Sequence, residues 1–354
     1  MNSEKNKPVL HLSLHKTQLA LASNNTAFLA YAREHLAALA APAPGAPDIQ
    51  VQLHWDQELT TTPTIAQGYR RLSRRLLLDE DNIIQTEILN LPGLQLQSRL
   101  VGAGLSIDAS FCPPSKRLRL ILKLGNKAIQ ERIYAILIYY LAYFPLLWRQ
   151  ERHEQRHPLH ASAIAWPQGA AILAGLGGVG KSTLTLAFLS DPNARLLSEN
   201  LILHDGKQVF SFLEPIHLDE RSHKLLPNLD GRLEPTGRIY SHNRQSYRLG
   251  PSALATSATP RMFCLLRQGQ KTELKPLSVA KALELTISSD LLAKELDAYF
   301  QQAAVLNLLS PSVGEFQRRI DALQELLSRV DCYELTIKPG QDLSRATDLV
   351  RSKL

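Results

Sequence analysis

Apolar and polar residues alternate over several short stretches in the first part of the chain, which is the pattern of strands with one buried face. Residues 8–22 predict a strand pair, residues 49–55 (IQVQLHW) predict a further strand, and residues 86–108 predict strands or short elements. In residues 26–41 the apolar positions recur at helical spacing instead. The pattern therefore predicts a mixed α+β domain at the N-terminus.

Two basic stretches interrupt this pattern. RRLSRR at 70–75 predicts the polar face of a helix. In KRLRLILK at 116–123 the alternation predicts a strand with one solvated face. Solvated surfaces explain both stretches, and neither carries a pattern typical of nucleic-acid recognition.

A long helix is predicted over residues 127–152, and its central part carries no charge. That part, 133–148, has 16 residues, fewer than the roughly 20 that span a bilayer. We therefore expect a buried helix. An interfacial helix is the alternative, because four tyrosines, one tryptophan and the flanking Arg132 and Arg149 suit a membrane surface.

From about residue 157 the pattern becomes strand, turn, strand, glycine-rich loop, helix and strand, which indicates an α/β domain. Strands are predicted at 160–166 and 170–174, joined by a turn, and a third strand is predicted at 195–203. Residues 278–307 are largely helical in pattern. A last helix has four apolar residues on one face: Phe316, Ile320, Leu323 and Leu327.

Length and composition fit two folded domains. The 354 residues are 44% hydrophobic and 21% charged, and we place the domains at 1–152 and 153–354. The three cysteines lie far apart, which argues against a disulfide framework or a zinc knuckle and favours a reducing compartment. The N-terminus lacks the pattern of an export signal, so we expect a cytoplasmic protein.

The net charge of +7 suits an acidic partner such as a nucleotide or an anionic lipid. The charge is spread along the chain, and we expect no nucleic-acid partner. Self-association and contact with the inner face of the membrane remain open.

A specific motif occurs at residues 175–183, GLGGVGKST. Its spacing is that of the G-x-x-x-x-G-K-[ST] phosphate-binding loop, and it lies between a predicted strand and a predicted helix, as that motif requires. The residues that we expect to bind the phosphates are Gly175, Gly177, Gly178, Val179, Gly180, Lys181, Ser182 and Thr183.

Each residue type in the loop has a physical role. Glycines let successive backbone N–H groups approach phosphate oxygens, and the start of the helix adds partial positive charge. Lys181 would bridge the β- and γ-phosphates, and the Ser182 hydroxyl would complete a Mg²⁺ shell. Thr183 lies inside the helix, where it also suits a structural role.

The order of motifs around the loop resembles that of the HPr kinase/phosphorylase superfamily, in its HPr kinase-like branch. In that family the order is H-A-S, a hairpin, the phosphate loop and L-L-S-D-D. This chain has the corresponding order LHASAIAW, PQG, GLGGVGKS and LLSEN. The resemblance covers mainly residues 157 to about 225. It implies an α/β domain related to phosphoenolpyruvate carboxykinases, with ATP and Mg²⁺ as cofactors, that phosphorylates a hydroxyl group.

By position, His160 matches the histidine that lies beside the first acid of the family, and Glu199 matches that acid, which accepts the proton of the attacking hydroxyl. Asn200 replaces the second acid, so that Ser182, Glu199 and Asn200 become the expected residues around the metal. Glu199 can still act as a base, but its extra methylene moves the carboxylate relative to an aspartate. Asn200 removes the negative charge that the second acid would carry. An active enzyme and a slowly transferring nucleotide sensor both remain open.

Two other groups of residues are candidates for chemistry. His153, His157 and His160 could look like zinc ligands, but Pro158 breaks any helix between them, which makes a zinc site improbable. In EPIHLDERSHK, Arg221 could stabilise a transferring phosphoryl group or could lie in a solvated loop.

The resemblance, together with the phosphate-binding loop, leads us to expect an ATP-dependent kinase with Glu199, His160 and Lys181 as catalytic residues. Family members act on a serine of a carrier protein, on lasso-peptide precursors or on bacterial sphingolipids. A serine of a peptide or protein is the first expectation for the acceptor, with a lipid or small alcohol as the alternative. The segment with which HPr kinases contact HPr is not recognisable after residue 205, which argues against HPr as the substrate.

Overall fold

The chain forms two compact units in the computed structural model, one of residues 1–150 with 300–312 and one of residues 151–299 with 313–354. Helices and strands form a mixed α/β architecture with several sheets. The structure describes residues 8–43, 45–56, 69–88, 90–226, 229, 232–241, 244–312, 314–340 and 343–354.

An eight-stranded sheet forms the first unit, in the order β1-β2-β3-β8-β7-β6-β5-β4. β2, β3 and β8 run parallel to one another, and the other neighbours are antiparallel. Alternate residues of β2 are buried, as the sequence pattern predicts for a half-buried strand. The strands are β1 (Val9–Leu14), β2 (Thr17–Ser23), β3 (Ile49–Trp55), β4 (Arg70–Ser73), β5 (Leu76–Leu78), β6 (Asn82–Gln85), β7 (Leu94–Val101) and β8 (Gly104–Phe111).

Four helices begin in this unit: α1 (Thr26–His35), α2 (Lys116–Lys123), α3 (Lys127–Ile138) and α4 (Phe144–Glu154). A π-helical turn, Tyr139–Tyr143, joins α3 to α4, so the predicted long helix is confirmed. Its apolar part, 133–148, is largely buried, which confirms the buried helix over the interfacial one. Across the described ranges, the chain offers no helix of the length and apolar character needed to cross a bilayer.

The predictions for the two basic stretches are wrong. KRLRLILK forms helix α2, which begins where the Ser115 side chain accepts a hydrogen bond from the Leu118 N–H at 3.2 Å. RRLSRR forms strand β4 and the turn to β5, with β4 fully exposed at the edge of the sheet. Both segments are too short for their periodicity to separate a helix from a strand, so the cap and the neighbouring strand decide.

The second unit contains three sheets. The six-stranded sheet has the order β12-β10-β11-β19-β21-β20, and the smaller ones have the orders β18-β14-β13-β9 and β15-β17-β16. The strands are β9 (His157–Leu159), β10 (Ala161–Trp166), β11 (Gly169–Ala174), β12 (Arg195–Ser198), β13 (Ile202–His204), β14 (Val209–Phe210), β15 (Ile216–Asp219), β16 (Leu233–Ser241), β17 (Arg244–Leu249), β18 (Ser257–Ala258), β19 (Pro260–Gln268), β20 (Glu273–Pro276) and β21 (Asp331–Ile337).

Strand β11 lies inside the six-stranded sheet, where it pairs antiparallel with β10 and parallel with β19. All its residues are buried, and apolar clusters cover both faces of the sheet. The helices that follow in the chain are α5 (Lys181–Ala187), α6 (Glu220–Leu225), α7 (Val279–Leu292), α8 (Lys294–Asn307), α9 (Glu315–Ser328) and α10 (Ser344–Arg351). A loop that follows β11 therefore starts from a rigid, fully packed strand.

Two details of the second unit differ from the sequence prediction. The strand predicted at 195–203 is two strands, β12 and β13, which belong to different sheets and leave Glu199 and Asn200 between them. Helix α9 is confirmed, but Phe316 is 59% exposed near its start, while Leu323 and Leu327 are buried. Apolar periodicity shows which residues share a face of a helix, but it does not show which part of that face is packed against the rest of the unit.

A fully buried carboxylate, Glu151, stands at the centre of a polar cluster in the second unit. Arg319 donates to both of its oxygens at 2.6 Å, His157 Nδ1 lies 2.9 Å from Oε1, and the Tyr299 hydroxyl donates to Oε2. Burial opposes ionisation of Glu151, but the bonds from His157 and Arg319 outweigh it and hold its pKa below the usual value. Every acceptor of this buried charge is therefore matched by a donor.

Acid is expected to destabilise the second unit, because three of its histidines are buried in the neutral form. Burial lowers the pKa of His204 to about 3 and those of His160 and His217 to about 4. Between about pH 6.5 and pH 4 the unfolded chain binds more protons than the folded chain, so the free energy of unfolding decreases as the pH falls through this window.

His204→Gln is expected to reduce that pH dependence by about 1 kcal/mol per pH unit. Urea unfolding of the full chain at a series of pH values measures the slope. His223→Gln, on the exposed part of α6, is the control and should leave the slope as it is. If the free energy of unfolding of His204→Gln had the same pH dependence as that of the wild type, His204 would not be buried in its neutral form as inferred here.

Candidate functional site

The glycine-rich loop predicted to bind phosphate joins the end of β11 to the start of α5. Gly175, Gly178 and Gly180 have positive φ angles of 136°, 80° and 105°. A Cβ atom on Gly175 would lie 2.8 Å from the carbonyl oxygen of Leu266, which is too close for any other residue. The loop therefore adopts backbone angles that favour glycine, and it packs closely against β19 at Gly175.

Lys181 points into this loop. Its Nζ donates to the carbonyl oxygens of Gly175 at 2.6 Å and Leu176 at 3.2 Å. Burial lowers the pKa of Lys181 to about 8, although the charges of Glu199 and Asp290 act in the opposite direction. The ammonium group is therefore mostly charged at neutral pH and is held at the loop by carbonyl groups.

Glu199 lies against the first turn of α5. Its carboxylate accepts a hydrogen bond from the Ser182 side chain, and its backbone carbonyl accepts one from Ser162 Oγ at 2.6 Å. Burial raises the pKa of Glu199, while Ser182 and Lys181 partly offset that rise. A carboxylate with a raised pKa is a better proton acceptor at neutral pH, and it stands here beside the phosphate loop.

Val179 and Thr183 complete the set of predicted loop residues. Val179 is partly buried and packs against the core of the second unit, and Thr183 is half-buried in α5. Val179 thus anchors the loop through its side chain.

Asn200 does not act alone in place of an acid. Its Nδ2 donates to Glu214 Oε2 at 2.9 Å. Glu214 belongs to the EPIHLDERSHK segment, but nothing in the sequence pairs it with Asn200. A carboxylate therefore lies within hydrogen-bond distance of the Asn200 side chain.

His160 lies at the junction of β9 and β10, close enough to Lys181 for their charges to interact. Burial, and then the charge of Lys181, lowers its pKa to about 4, so the ring is neutral at physiological pH. Its Nδ1 is buried and has no hydrogen-bond partner among the described residues. The backbone N–H of His160 donates to Asp290 Oδ1 at 3.1 Å.

Asp290, near the end of α7, is a site residue that sequence reasoning missed. Burial raises its pKa to about 7, and the His160 N–H and the charge of Lys181 partly oppose this rise. It is 130 residues away from His160 along the chain. No spacing rule connects the two residues, because only the packing of α7 brings them together.

An arginine also reaches this site, but it is not the predicted one. Arg221 lies exposed in α6, where its charge acts on Asp219. Arg244, at the start of β17, lies close enough for its charge to act on Glu199 and His217. The sequence offers no signal for Arg244, since it follows no motif.

The donor atoms of the site suit a hard cation. The Ser182 hydroxyl and the Glu199 carboxylate lie together, and oxygen ligands of this kind are those that Mg²⁺ prefers. The zinc alternative finds no support, since no group of three or more His, Cys, Asp or Glu residues placed to hold a metal occurs in the described part of the chain. His157 contacts Glu151 instead.

Comparisons with known proteins give a distant likeness to solved structures and no match elsewhere. The chain matches no protein-family model and no curated protein. Among solved structures it is similar to the Hpr(Ser) kinase/phosphatase from Coxiella burnetii, with a TM-score of 0.26 and 9% identity, covering 55% of this chain and 95% of that one. At this TM-score the likeness establishes neither a shared fold nor a shared activity.

Proposed function

We propose that the chain is an ATP-dependent kinase that transfers the γ-phosphoryl group to a hydroxyl acceptor, in the first place a serine of a peptide or protein. One observation carries the proposal: Lys181 points into a glycine-rich loop, and Glu199 meets Ser182 at the first turn after it. A cation for phosphate, a hydroxyl for a metal and a carboxylate for a proton are the parts that phosphoryl transfer requires.

Binding would use the loop before any chemistry occurs. The backbone N–H groups of 175–180 would receive phosphate oxygens, and Lys181 would exchange its two carbonyl partners for the β- and γ-phosphates. Ser182, Glu199 and Asn200 would hold Mg²⁺. When bound, Mg²⁺ neutralises the charge on the phosphates.

In the transfer, the acceptor oxygen forms a bond to the γ-phosphorus while the bond to the β,γ-bridging oxygen breaks, and ADP leaves. Glu199 takes the acceptor's proton as the general base. His160, neutral at its lowered pKa, would orient the carboxylate without competing with Lys181 for the phosphates. Asp290 holds the backbone of His160 in place.

The proposal extends to the organisation of the chain. Residues 153–354 would form an ATP-binding domain of the HPr kinase/phosphoenolpyruvate carboxykinase-like type, and residues 1–152 a second domain. We place the protein in the cytoplasm. A kinase acting on a lipid or a small-molecule alcohol is the alternative within the same chemistry.

A nucleotide-binding regulator with little turnover is the competing function. Asn200 favours it, because an amide stands where the resembled family has a second acid. Incubation with ATP and Mg²⁺ separates the two functions. ADP release that depends on an added peptide pool or on added lipid vesicles supports a kinase and identifies its acceptor class, whereas tight binding without turnover supports a regulator.

Lys181→Met is expected to weaken ATP binding by roughly 10- to 100-fold, because the variant lacks the charge at the loop. Calorimetry with ATP, with and without Mg²⁺, measures the affinity. Lys207→Met, an exposed lysine of the same unit, is the matched control and should bind as the wild type does. If the wild-type chain has no affinity for ATP, both functions proposed for this site are wrong.

A further inference from the structure

Helix α2 is an exposed basic helix with apolar residues on its outer side. Its eight residues include four cations and no acid. None of its residues is fully buried. Leu120 is 57% exposed, and Leu124, directly after the helix, is 76% exposed. The helix therefore presents two leucines to solvent among its cations.

The cations and the exposed leucines lie on the same side of α2. Lys116, Leu120 and Leu124 follow one another at four-residue steps, the spacing that stacks side chains along one face of a helix. Arg117 and Lys123 are exposed as well, and no carboxylate in the described part of the chain pairs with Lys116, Arg117 or Lys123. Within the described part of the chain, the positive charge of this face therefore has no carboxylate partner.

A cavity of about 690 Å³ lies next to α2, with Arg119 and Arg75 in its lining. Arg119 is held there by its own bonds, since Nε donates to the Pro113 carbonyl at 3.2 Å and Nη2 lies 3.1 Å from Cys112 Sγ. Arg75 pairs with Glu87 at 3.3 Å in an exposed position. The cavity lining thus holds the Arg75–Glu87 pair and the Arg119 guanidinium, which pairs with no carboxylate among the described residues.

We propose that α2 and this cavity form a docking surface for an anionic lipid bilayer. The interface of such a bilayer takes up leucine side chains and attracts lysine and arginine at the same depth, because their long stems let the charge remain at the headgroups. In this proposal, the Arg119 guanidinium would pair with an anionic headgroup at the cavity. The surface lies wholly within the first unit and does not depend on the kinase proposal.

Other acidic partners fit less well. A nucleic acid offers its phosphates to the cations but leaves Leu120 and Leu124 in water. Binding through α2 would be weak and reversible, because stable attachment requires both apolar insertion and basic charge, and this short helix supplies a modest amount of each. The protein would therefore exchange between membrane and solution.

Sedimentation of the full chain with vesicles tests the proposal. Wild-type protein should bind vesicles of phosphatidylcholine mixed with phosphatidylglycerol, and should not bind phosphatidylcholine alone. Combined Lys116→Gln, Arg117→Gln and Lys123→Gln should lower the partition coefficient by roughly fivefold per cation, about a hundredfold in all. Leu120→Gln with Leu124→Gln should lower it by about tenfold.

A matched control separates this surface from the overall positive charge. Lys207→Gln, Lys271→Gln and Lys353→Gln remove the same charge at scattered exposed positions. Loss of binding in this control equal to the loss in the α2 variant would overturn the proposal. The proposal would also be overturned if the wild-type chain did not bind the anionic vesicles. It would be overturned as well if the leucine variants bound normally and duplex DNA competed with the vesicles for the protein. Unchanged circular dichroism shows that the variants are folded, and unchanged ATP affinity keeps the result separate from the kinase.

Discussion

Replacing Glu199 with glutamine is expected to lower ATP turnover by about 10²- to 10⁴-fold, the range that a positioned general base contributes. The amide keeps the size of the side chain and can still bond Ser182, but it cannot take a proton from a hydroxyl. Affinity for ATP without Mg²⁺ should stay unchanged, because the loop and Lys181 remain. The measurement is ADP release, with ATP alone and with the acceptor that gives the highest rate.

Two further variants make this result specific. Glu284→Gln removes an exposed carboxylate that pairs with Lys281 on α7, and turnover should not change. Glu199→Asp restores the acid type of the resembled family but retracts the carboxylate by one methylene, so activity should fall between the wild type and the glutamine variant. Equal turnover in Glu199→Gln and the wild type would contradict the role of the base and leave the regulator as the better function.

Replacing Glu151 with glutamine is expected to destabilise the second unit by about 3–5 kcal/mol, the cost of breaking one partner of a buried ion pair. Glu151 accepts two bonds from Arg319 and contacts His157 and Tyr299. Glutamine cannot satisfy these donors together, and it leaves the Arg319 charge largely buried without its counter-ion. Urea unfolding at neutral pH measures the loss.

The control for this prediction is the exposed pair Glu325–Arg329 on α9, at 2.8 Å. Glu325→Gln should cost less than about 1 kcal/mol, because water screens the charges of an exposed pair. Adding Arg319→Met to Glu151→Gln should recover part of the lost stability, since it removes the unpaired charge. A Glu151→Gln variant as stable as the Glu325→Gln variant would show that the cluster contributes little.

The two predictions rest on different kinds of information. The sequence led to Glu199 through its place in LLSEN, a short distance after a glycine-rich loop. No sequence pattern indicates the cluster around Glu151, because His157 suggests only a zinc ligand and Arg319 belongs to no motif. Contacts between residues that are 168 positions apart follow no local pattern.

The same difference explains where the predictions of secondary structure were wrong. Long or strongly patterned elements, such as the helix over 127–152 and the β10–β11 hairpin, were confirmed. The basic stretches at 70–75 and 116–123 were assigned wrongly, because a few residues with mixed periodicity suit either structure until a cap or a neighbouring strand stabilises one of them.

The sequence by itself determined four local features: the glycine loop, the strand before it, the helix after it, and the position of Lys181 and Ser182 in the first turn of that helix. These features depend on residues within a few positions of one another, where backbone geometry leaves few choices. The tertiary structure alone decided that Asp290 supports His160, that Glu214 contacts Asn200, that Arg244 replaces Arg221 near Glu199, and that the leucines of α2 stay exposed. Burial and charge in a folded chain depend on which distant segments pack together, and a pattern of neighbouring residues does not contain that information.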